Sequence, residues 1–465
     1  MQQLAGRLLL CLRCGMAIVI LPLLVACASS SVFNPYPTQA ANYLTAIAQG
    51  DIDSVTAQLY RRQKGKDGLL YAQESGRLHQ LNGQFAASRD DFEFVFQKYR
   101  EQDEAARLTV SGSGAQASAL FTNDNAIPYR GYGYERIMAI HFQMLNYLAL
   151  GDIEAAGVEL RRAALEQRIL EQAHARAINE AHEQVQQNRI DLASLQDKPE
   201  LAGMNRMAGQ VKSSFLNAYT FYTSAVIRES MGDLNGALVD YRKALEINPD
   251  NATILEDIRR VDGEKSIGDA AHGHLLVLFE DGFVSEKSAF HLSLPYFTRI
   301  NGEYRSTYLN VSFPYYSAHH QHQPRPLRVY SSDGLLGSTG MIADINAMAV
   351  RALQEEIPAM VVRMVLRARA KHELHRQGSE QGGILGSLLA TIYNIVSEQA
   401  DRRSWLTLPH NAQLLRQEMP VGSHRLELTA GAGSRSVNVE VKPGKVTLLR
   451  VINANNRLII QQFQL

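Results

Sequence analysis

The sequence predicts a multidomain chain, α then α/β: an N-terminal helical solenoid, then a mixed α/β domain that ends in a small β-sandwich. Three observations predict it. Residues 40–251 carry a nearly continuous helical pattern, with Pro128 and Pro199 marking breaks. Within that stretch, glycine-bearing turns recur between paired helical runs, at Gly50-Asp51, Asn82-Gly83, Gly151-Asp152 and Gly232-Asp233. After Ser266 the pattern changes to short alternating runs separated by glycine turns. At 465 residues and 45% hydrophobic content, the chain is long enough for several domains, each with its own core. Lys plus Arg and Asp plus Glu both total 47, and this balance gives no global attraction to nucleic acid or to an anionic membrane. No nucleic-acid partner is expected.

The elements follow in order. Arg7 and Arg13 precede a short apolar run, residues 16–25, which closes on Leu24-Val25-Ala26-Cys27. A charged start, a short apolar centre and small residues at the cut describe a secretory signal. Leu24-Val25-Ala26-Cys27 resembles the bacterial lipobox, in which the cysteine sulfur receives a diacylglyceryl group and becomes the new N-terminus. Residues 1–26 are therefore the expected signal peptide and 27–39 a lipidated, Ser-rich tether containing Pro35 and Pro37. Ala28 rather than aspartate follows Cys27. By the same resemblance the expected location is the outer membrane, facing the periplasm. The apolar run is shorter than the ~20 residues of a bilayer span. The membrane is expected to be engaged through the acyl chains, at about 0.8 kcal/mol per buried methylene. Cys11, Cys14 and Cys27 are the only cysteines, so residues 28–465 hold no disulfide, thiolate metal site or cysteine nucleophile.

Residues 40–265 are the predicted helical repeat domain. Its clearest unit spans 218–251: small Ala225 in the first helix, Gly232 at the turn, Ala237, Tyr241 and Ala244 in the second helix, and Pro249 as its stop. Small residues let two antiparallel helices approach, and the tyrosine fills the groove between them. This pattern resembles the tetratricopeptide repeat. Weaker copies centre on Gly151-Asp152 with Ala155, Ala156 and Ala163; on Asn82-Gly83 with Gly76 and Phe92; and on Gly50-Asp51 within 42–59. About three stacked units are needed to bury their faces; the alternative is an ordinary helical bundle. Between the copies, 164–197 reads as one long helix, with Leu165, Ile169, Ala173, Ala177, Ala181 and Val185 as a thin apolar stripe.

Residues 266–405 are the predicted mixed α/β domain. Residues 274–279 and 288–294 read as a hairpin about Glu280-Asp281-Gly282, with further strands at 309–313 and 327–330. Helices follow at 341–356 and 358–376, the second starting at Pro358, and at 388–399. Residues 406–465 are the predicted small β-sandwich, with strands at 413–417, 424–429, 436–441, 447–452 and 457–463.

The order of lipobox, helical repeats and α/β end resembles an uncharacterised family of proteobacterial outer-membrane lipoproteins that contain tetratricopeptide-like repeats. Four stretches carry the likeness: Pro128-Tyr-Arg-Gly-Tyr-Gly-Tyr-Glu-Arg136 with 144–148 and 158–162; Leu276-Val-Leu-Phe-Glu-Asp-Gly282; Glu355-Glu-Ile-Pro-Ala-Met-Val-Val-Arg363; and Ala400-Asp-Arg-Arg-Ser-Trp-Leu-Thr-Leu-Pro409, the most specific of them. The resemblance implies location and architecture rather than an activity.

Two functional readings remain. In the first, the repeats form a scaffold for periplasmic or envelope proteins, with Tyr129, Arg130, Tyr134 and Arg136 as candidate partner-binding residues, since Tyr and Arg anchor interfaces. The same patch would equally suit capping the repeats against the next domain. In the second, Asp401, Arg402 and Trp405, beside Arg403, form a glycan-binding or hydrolytic site, the guanidinium supplying a donor fork and the indole a stacking face; the alternative is a structural corner with Trp405 in the core. His319, His320 and His322 read as a solvated loop rather than a metal site. Arg363, Arg367 and Lys371 share a helix face, either solvated or open to an acidic partner. The glycine-punctuated apolar run 382–396 reads as a core helix, the alternative being a segment that dips into lipid. No phosphate-binding glycine loop, Gly-x-Ser-x-Gly elbow or His-Glu-x-x-His is present. No enzyme activity, cofactor or metal is expected.

Overall fold

The computed structural model describes residues 34–110, 124–192, 195, 198–263, 270–300, 303–318, 322–379 and 399–465. The signal and lipobox residues Leu24, Val25, Ala26 and Cys27, together with His319, His320 and the run 382–396, lie outside the described residues.

Helices precede mixed sheets. The helical part contains α1 (Tyr36–Gln49), α2 (Ile52–Arg62), α3 (Gly68–Leu81), α4 (Phe85–Val110), α5 (Gly133–Ala149), α6 (Ile153–Gln187), α7 (Pro199–Ala208), α8 (Ala218–Ser230), α9 (Leu234–Ile247) and α10 (Ala252–Asp262). One local device joins α1 to α2, α3 to α4, α5 to α6 and α8 to α9. Gly50, Gly83, Gly151 and Gly232 are left-handed, with φ of +80°, +75°, +77° and +81°. The next residue sends its N–H back to the carbonyl five positions earlier, at 3.0, 2.8, 2.8 and 2.9 Å. That closes a helix C-terminus that only glycine enters without strain. After two of these glycines, an aspartate then caps the following helix: Asp152 Oδ1 accepts from the Ala155 N–H and Asp233 Oδ1 from the Gly236 N–H, both at 2.9 Å. A Gly-Asp dipeptide thus ends one helix and starts the next. Ala225, Ala237, Tyr241 and Ala244 are fully buried between α8 and α9, and Pro249 lies in the turn beyond α9.

The strands are β1 (His272–Asp281), β2 (Lys287–Ile300), β3 (Glu303–Tyr316), β4 (Arg328–Ser331), β5 (Gly334–Ser338), β6 (Gly340–Asp344), β7 (Asn411–Pro420), β8 (Gly422–Ala430), β9 (Gly433–Val441), β10 (Val446–Ala454) and β11 (Arg457–Gln464), with α11 (Ile345–Ser379) between β6 and β7. A five-stranded sheet has the order β11-β10-β1-β7-β6; β1 and β10 are parallel and the other pairs antiparallel. Along β1 the side chains alternate. Leu276 and Leu278 pack into the core shared with the helices. Leu275, Val277 and Phe279 pack with Val329, Leu426, Leu428, Val439 and Val441 of the four-stranded sheet β5-β4-β8-β9. The layers are therefore helices, five-stranded sheet and four-stranded sheet.

Four sequence expectations are corrected. Residues 274–279 do not form a hairpin with 288–294; β1 pairs with β7 and β10, and β2 pairs with β3. A run apolar on both faces belongs at the centre of a covered sheet, and the hairpin reading ignored that. The expected boundary at 405/406 runs through this same sheet, because β1 and β6 come from one side of it and β7, β10 and β11 from the other. Pro358 lies inside α11 rather than at a helix start; Leu353, Val361 and Val365, all buried, hold the helix across the lost N–H. Finally, the stripe of every fourth residue on α6 is not one face. Leu165 and Ile169 are exposed while Ala181 and Val185 are buried, because each four-residue step advances about 40° beyond a full turn.

Candidate functional site

The inner face of the helices is polar and aromatic, and the chain's own segment 399–410 fills it. Its residues 405–407 bond through their backbone to helix side chains, while Leu408 and His410 bond to the backbone of Val284, Gly282 and Asn346. Glu135 of α5 accepts the Trp405 N–H at 2.9 Å. Glu74 of α3 accepts from the Leu406 N–H at 2.8 Å, from the Thr407 N–H at 3.3 Å and from the Thr407 hydroxyl at 2.5 Å. Arg77 of α3 donates to the Thr407 carbonyl at 3.3 Å. Trp405 is fully buried. Its ring centroid lies 5.9 Å from that of Phe92 and 5.8 Å from that of Phe142, and its indole N–H donates to the Thr407 hydroxyl at 3.0 Å.

Both groups of sequence-predicted site residues meet here. Tyr129 and Tyr134 are buried and donate their hydroxyls to Glu135, the same carboxylate that accepts from Trp405. Asp401 is bound at 2.6 Å by Arg403, whose guanidinium also reaches Asp67 and donates to the carbonyls of Asp124 and Ile127. Arg402 donates to the Lys287 carbonyl at 2.6 Å. Arg136 pairs with Asp103 at 2.7 Å and Glu166 at 3.0 Å, and its guanidinium sits 4.2 Å from the centroid of the Tyr99 ring. Arg130 is exposed. Tyr129 and Tyr134 are thus not surface anchors, and Trp405 offers no stacking face to a glycan. The two candidate sites are the two halves of one internal interface. Arg363 and Arg367 are likewise engaged, both by Asp124, and His322, part-exposed in its loop, binds Asp281 at 2.6 Å.

Sequence reasoning missed the carboxylates and arginines on which this face depends. Glu280 of β1 is fully buried and binds Arg450 at 2.6 Å, Arg77, and the Tyr219 hydroxyl at 3.1 Å. Burial raises its pKa, but the two guanidiniums outweigh burial and hold it at about 2. A second cluster joins Arg416 of β7 to Glu229 at 3.2 Å and Asp257 at 3.0 Å; there too the arginines outweigh burial and hold Glu229 at about 2. Asp401 is held below the usual carboxylate range by Arg403, again against burial. Among the described residues no cation pairs with Glu74, and burial pushes it up to about 7. The available signal was a run of polar residues, 73–77 and 80, inside an otherwise apolar helix.

Beside Arg402 and Arg403 a concave surface of about 280 Å³ opens among Tyr36, Asn125, His291 and Gln399. Two others lie elsewhere. One, about 340 Å³, lies among α6, α8, α9 and the loop before α8: Leu216, Phe221 and Ile247 form its floor, and Arg168, Lys212, Lys243, Glu171 and Glu246 its rim. The other, about 630 Å³, lies at the ends of β1 and β10. Among the described residues, no group of three or more His, Cys, Asp or Glu is placed to hold a metal ion, and no helix is long and apolar enough to cross a membrane. No family model, curated protein or solved structure matches this chain.

Proposed function

We propose that this chain is a lipoprotein of the bacterial envelope, held by acyl chains on Cys27 in the outer membrane and facing the periplasm, and that it works as an interaction scaffold built from tetratricopeptide-like helix pairs. The helix pairs share one turn device, and α8 with α9 buries the small residues Ala225, Ala237 and Ala244, which supports the repeat reading. The observation that carries the scaffold reading is the open groove among α6, α8 and α9. The inner face is filled in cis by segment 399–410, through side chain to backbone hydrogen bonds. An external partner then belongs on the open groove among α6, α8 and α9, where an apolar floor sits inside a charged rim, the composition of a modest protein-binding site.

The test is cross-linking in intact cells followed by purification of the lipidated chain. Wild type is expected to recover a discrete envelope protein, and an Arg168→Glu/Lys243→Glu variant, changed at the charged rim alone, to lose it while keeping its thermal unfolding temperature within a few degrees. A Cys27→Ser variant is expected to leave the membrane fraction. If wild type recovers nothing specific, the scaffold reading falls; if Cys27→Ser stays in the membrane fraction and still carries lipid, the anchoring reading falls.

A further inference from the structure

The larger open cleft lies away from the helices' inner face, where β1 and β10, the one parallel pair, both end. Four segments converge on it: Asp281 to Val284 after β1, His322 to Arg325 before β4, Gly431 between β8 and β9, and Asn453, Asn455 and Asn456 around the turn from β10 to β11. Its volume of about 630 Å³ is within the range of small-molecule sites.

The backbone is shaped to this arrangement. Asn455 and Asn456 are both left-handed, with φ of +54° and +68°, which sets their carboxamides at the rim of a tight hairpin turn. Gly282, at φ +65°, has the His322 ring over it: a Cβ there would lie 3.2 Å from the imidazole. Gly431, at φ +57°, has the Arg325 guanidinium over it, with a Cβ 2.9 Å from Nη1. Both glycines are thus required by conformation and by what rests on them.

The polar groups divide into those that are satisfied and those that are not. Asp281 is saturated: it accepts from His322 Nε2 at 2.6 Å, from Asn453 at 2.7 Å and from the Arg325 N–H at 3.2 Å. It therefore orients its neighbours rather than binding a ligand, and it fixes Nε2 of His322 as the donor, leaving Nδ1 without a partner among the described residues. The Arg325 guanidinium, on an exposed residue at the cleft, has no carboxylate partner among the described residues either. The buried Arg77, Arg403, Arg416 and Arg450 all have one. Leu44, Phe283 and Val284 give the cleft an apolar side.

We propose that this cleft binds a small ligand bearing one oxyanion, a carboxylate or a phosphate monoester, on a polyhydroxylated body. Arg325 meets the oxyanion as a two-pronged donor, His322 and the carboxamides of Asn455 and Asn456 take the hydroxyls, and the ring face of the ligand rests on Leu44 and Phe283. The full-length chain in detergent micelles is titrated calorimetrically with glucuronate, glucose 6-phosphate and glucose. One or both anions are expected to bind at least tenfold more tightly than glucose. An Arg325→Gln variant is expected to lose at least tenfold of the anion affinity at an unchanged unfolding temperature. Binding of glucuronate alone identifies the sugar acid as the source of the oxyanion, and binding of glucose 6-phosphate alone identifies the phosphate ester. Equal binding of glucose, anion binding unaffected by Arg325→Gln, or no binding of any of the three up to about 10 mM would overturn the proposal.

Discussion

Glu74 shows how a single side chain holds the two halves of the molecule together. Its two oxygens take four donors: the Tyr36 hydroxyl at 2.7 Å, the N–H groups of Leu406 and Thr407, and the Thr407 hydroxyl. Three of the four come from the segment that fills the helices' inner face. Among the described residues no cation pairs with this carboxylate, so burial dominates and its pKa rises to about 7 from an ordinary 4.5. Between those two values the folded state holds a proton that the unfolded chain has released. Stability from this group is therefore fully present below about pH 4.5 and is lost as pH rises through 7. A Glu74→Gln variant keeps the shape and removes the titration. It also leaves one oxygen to serve donors that now need two, at a cost of about 1–3 kcal/mol. Thermal melts at pH 5 and pH 8 check both effects: wild type is expected to exceed the variant at pH 5, and its margin to shrink at pH 8. A margin that does not change with pH would show that Glu74 does not titrate in this window. Nothing in the sequence separates Glu74 from a surface glutamate except the polar run around it, because three of its four donors lie more than three hundred positions away and the fourth, Tyr36, lies 38 away.

At the scale of elements, what was legible in the sequence was local. The glycine turns, the aspartate caps and the small residues of α8 and α9 act within about twenty residues, and each was readable as a motif with a mechanism. Strand existence was also readable, since glycine turns separate the short runs of β7 to β11 and β8 and β9 alternate. Strand partnership was not. The register of β1 pairs Leu276 with Leu448 and with Arg416, across separations that no local pattern encodes. The direction of α6's exposed residues was lost for a different reason, since spacing by four looks like a face over two turns and winds off it over five. The turn glycines give the sharpest test at this scale. Gly83, Gly151 and Gly232 have nothing within 4 Å of where a Cβ would go, so substitution there meets conformational strain alone. Alanine at any one of them is expected to destabilise the protein by about 1–2 kcal/mol. Denaturant unfolding of the three single variants should give similar losses; a much larger loss at one would reveal packing that the open space around it does not suggest.

For the whole molecule, the two candidate sites read from the sequence were real interface signals assigned to the wrong partner. Tyr, Arg and Trp at 129–136 and 401–405 have the composition of binding anchors; the two groups meet through the Trp405 N–H on Glu135 and Arg403 over the Tyr129 ring, whereas Arg136 pairs with Asp103 and Glu166 and Arg130 is exposed. The helices therefore do not form a free-standing binding surface. Their inner face carries Glu74, Arg77, Glu135 and Tyr219, all buried, and these are satisfied by segment 399–410, by β1 and by β10. Arg77 and Arg450 neutralise the same Glu280, so helix and sheet share one buried ion cluster. Removing one side of such a cluster leaves uncompensated buried charge, a loss of about 3–5 kcal/mol for a single pair. That is comparable to the entire stability of many domains. Residues 34–263 produced alone are accordingly expected to keep helical content while losing fixed tertiary packing and binding an apolar dye, with a broad thermal transition. Co-production with residues 270–465 is expected to restore a single sharp one. If the helical fragment instead melts cooperatively alone and leaves the dye unbound, the inner face can close without the sheet, and segment 399–410 becomes a ligand of a finished scaffold rather than part of its core.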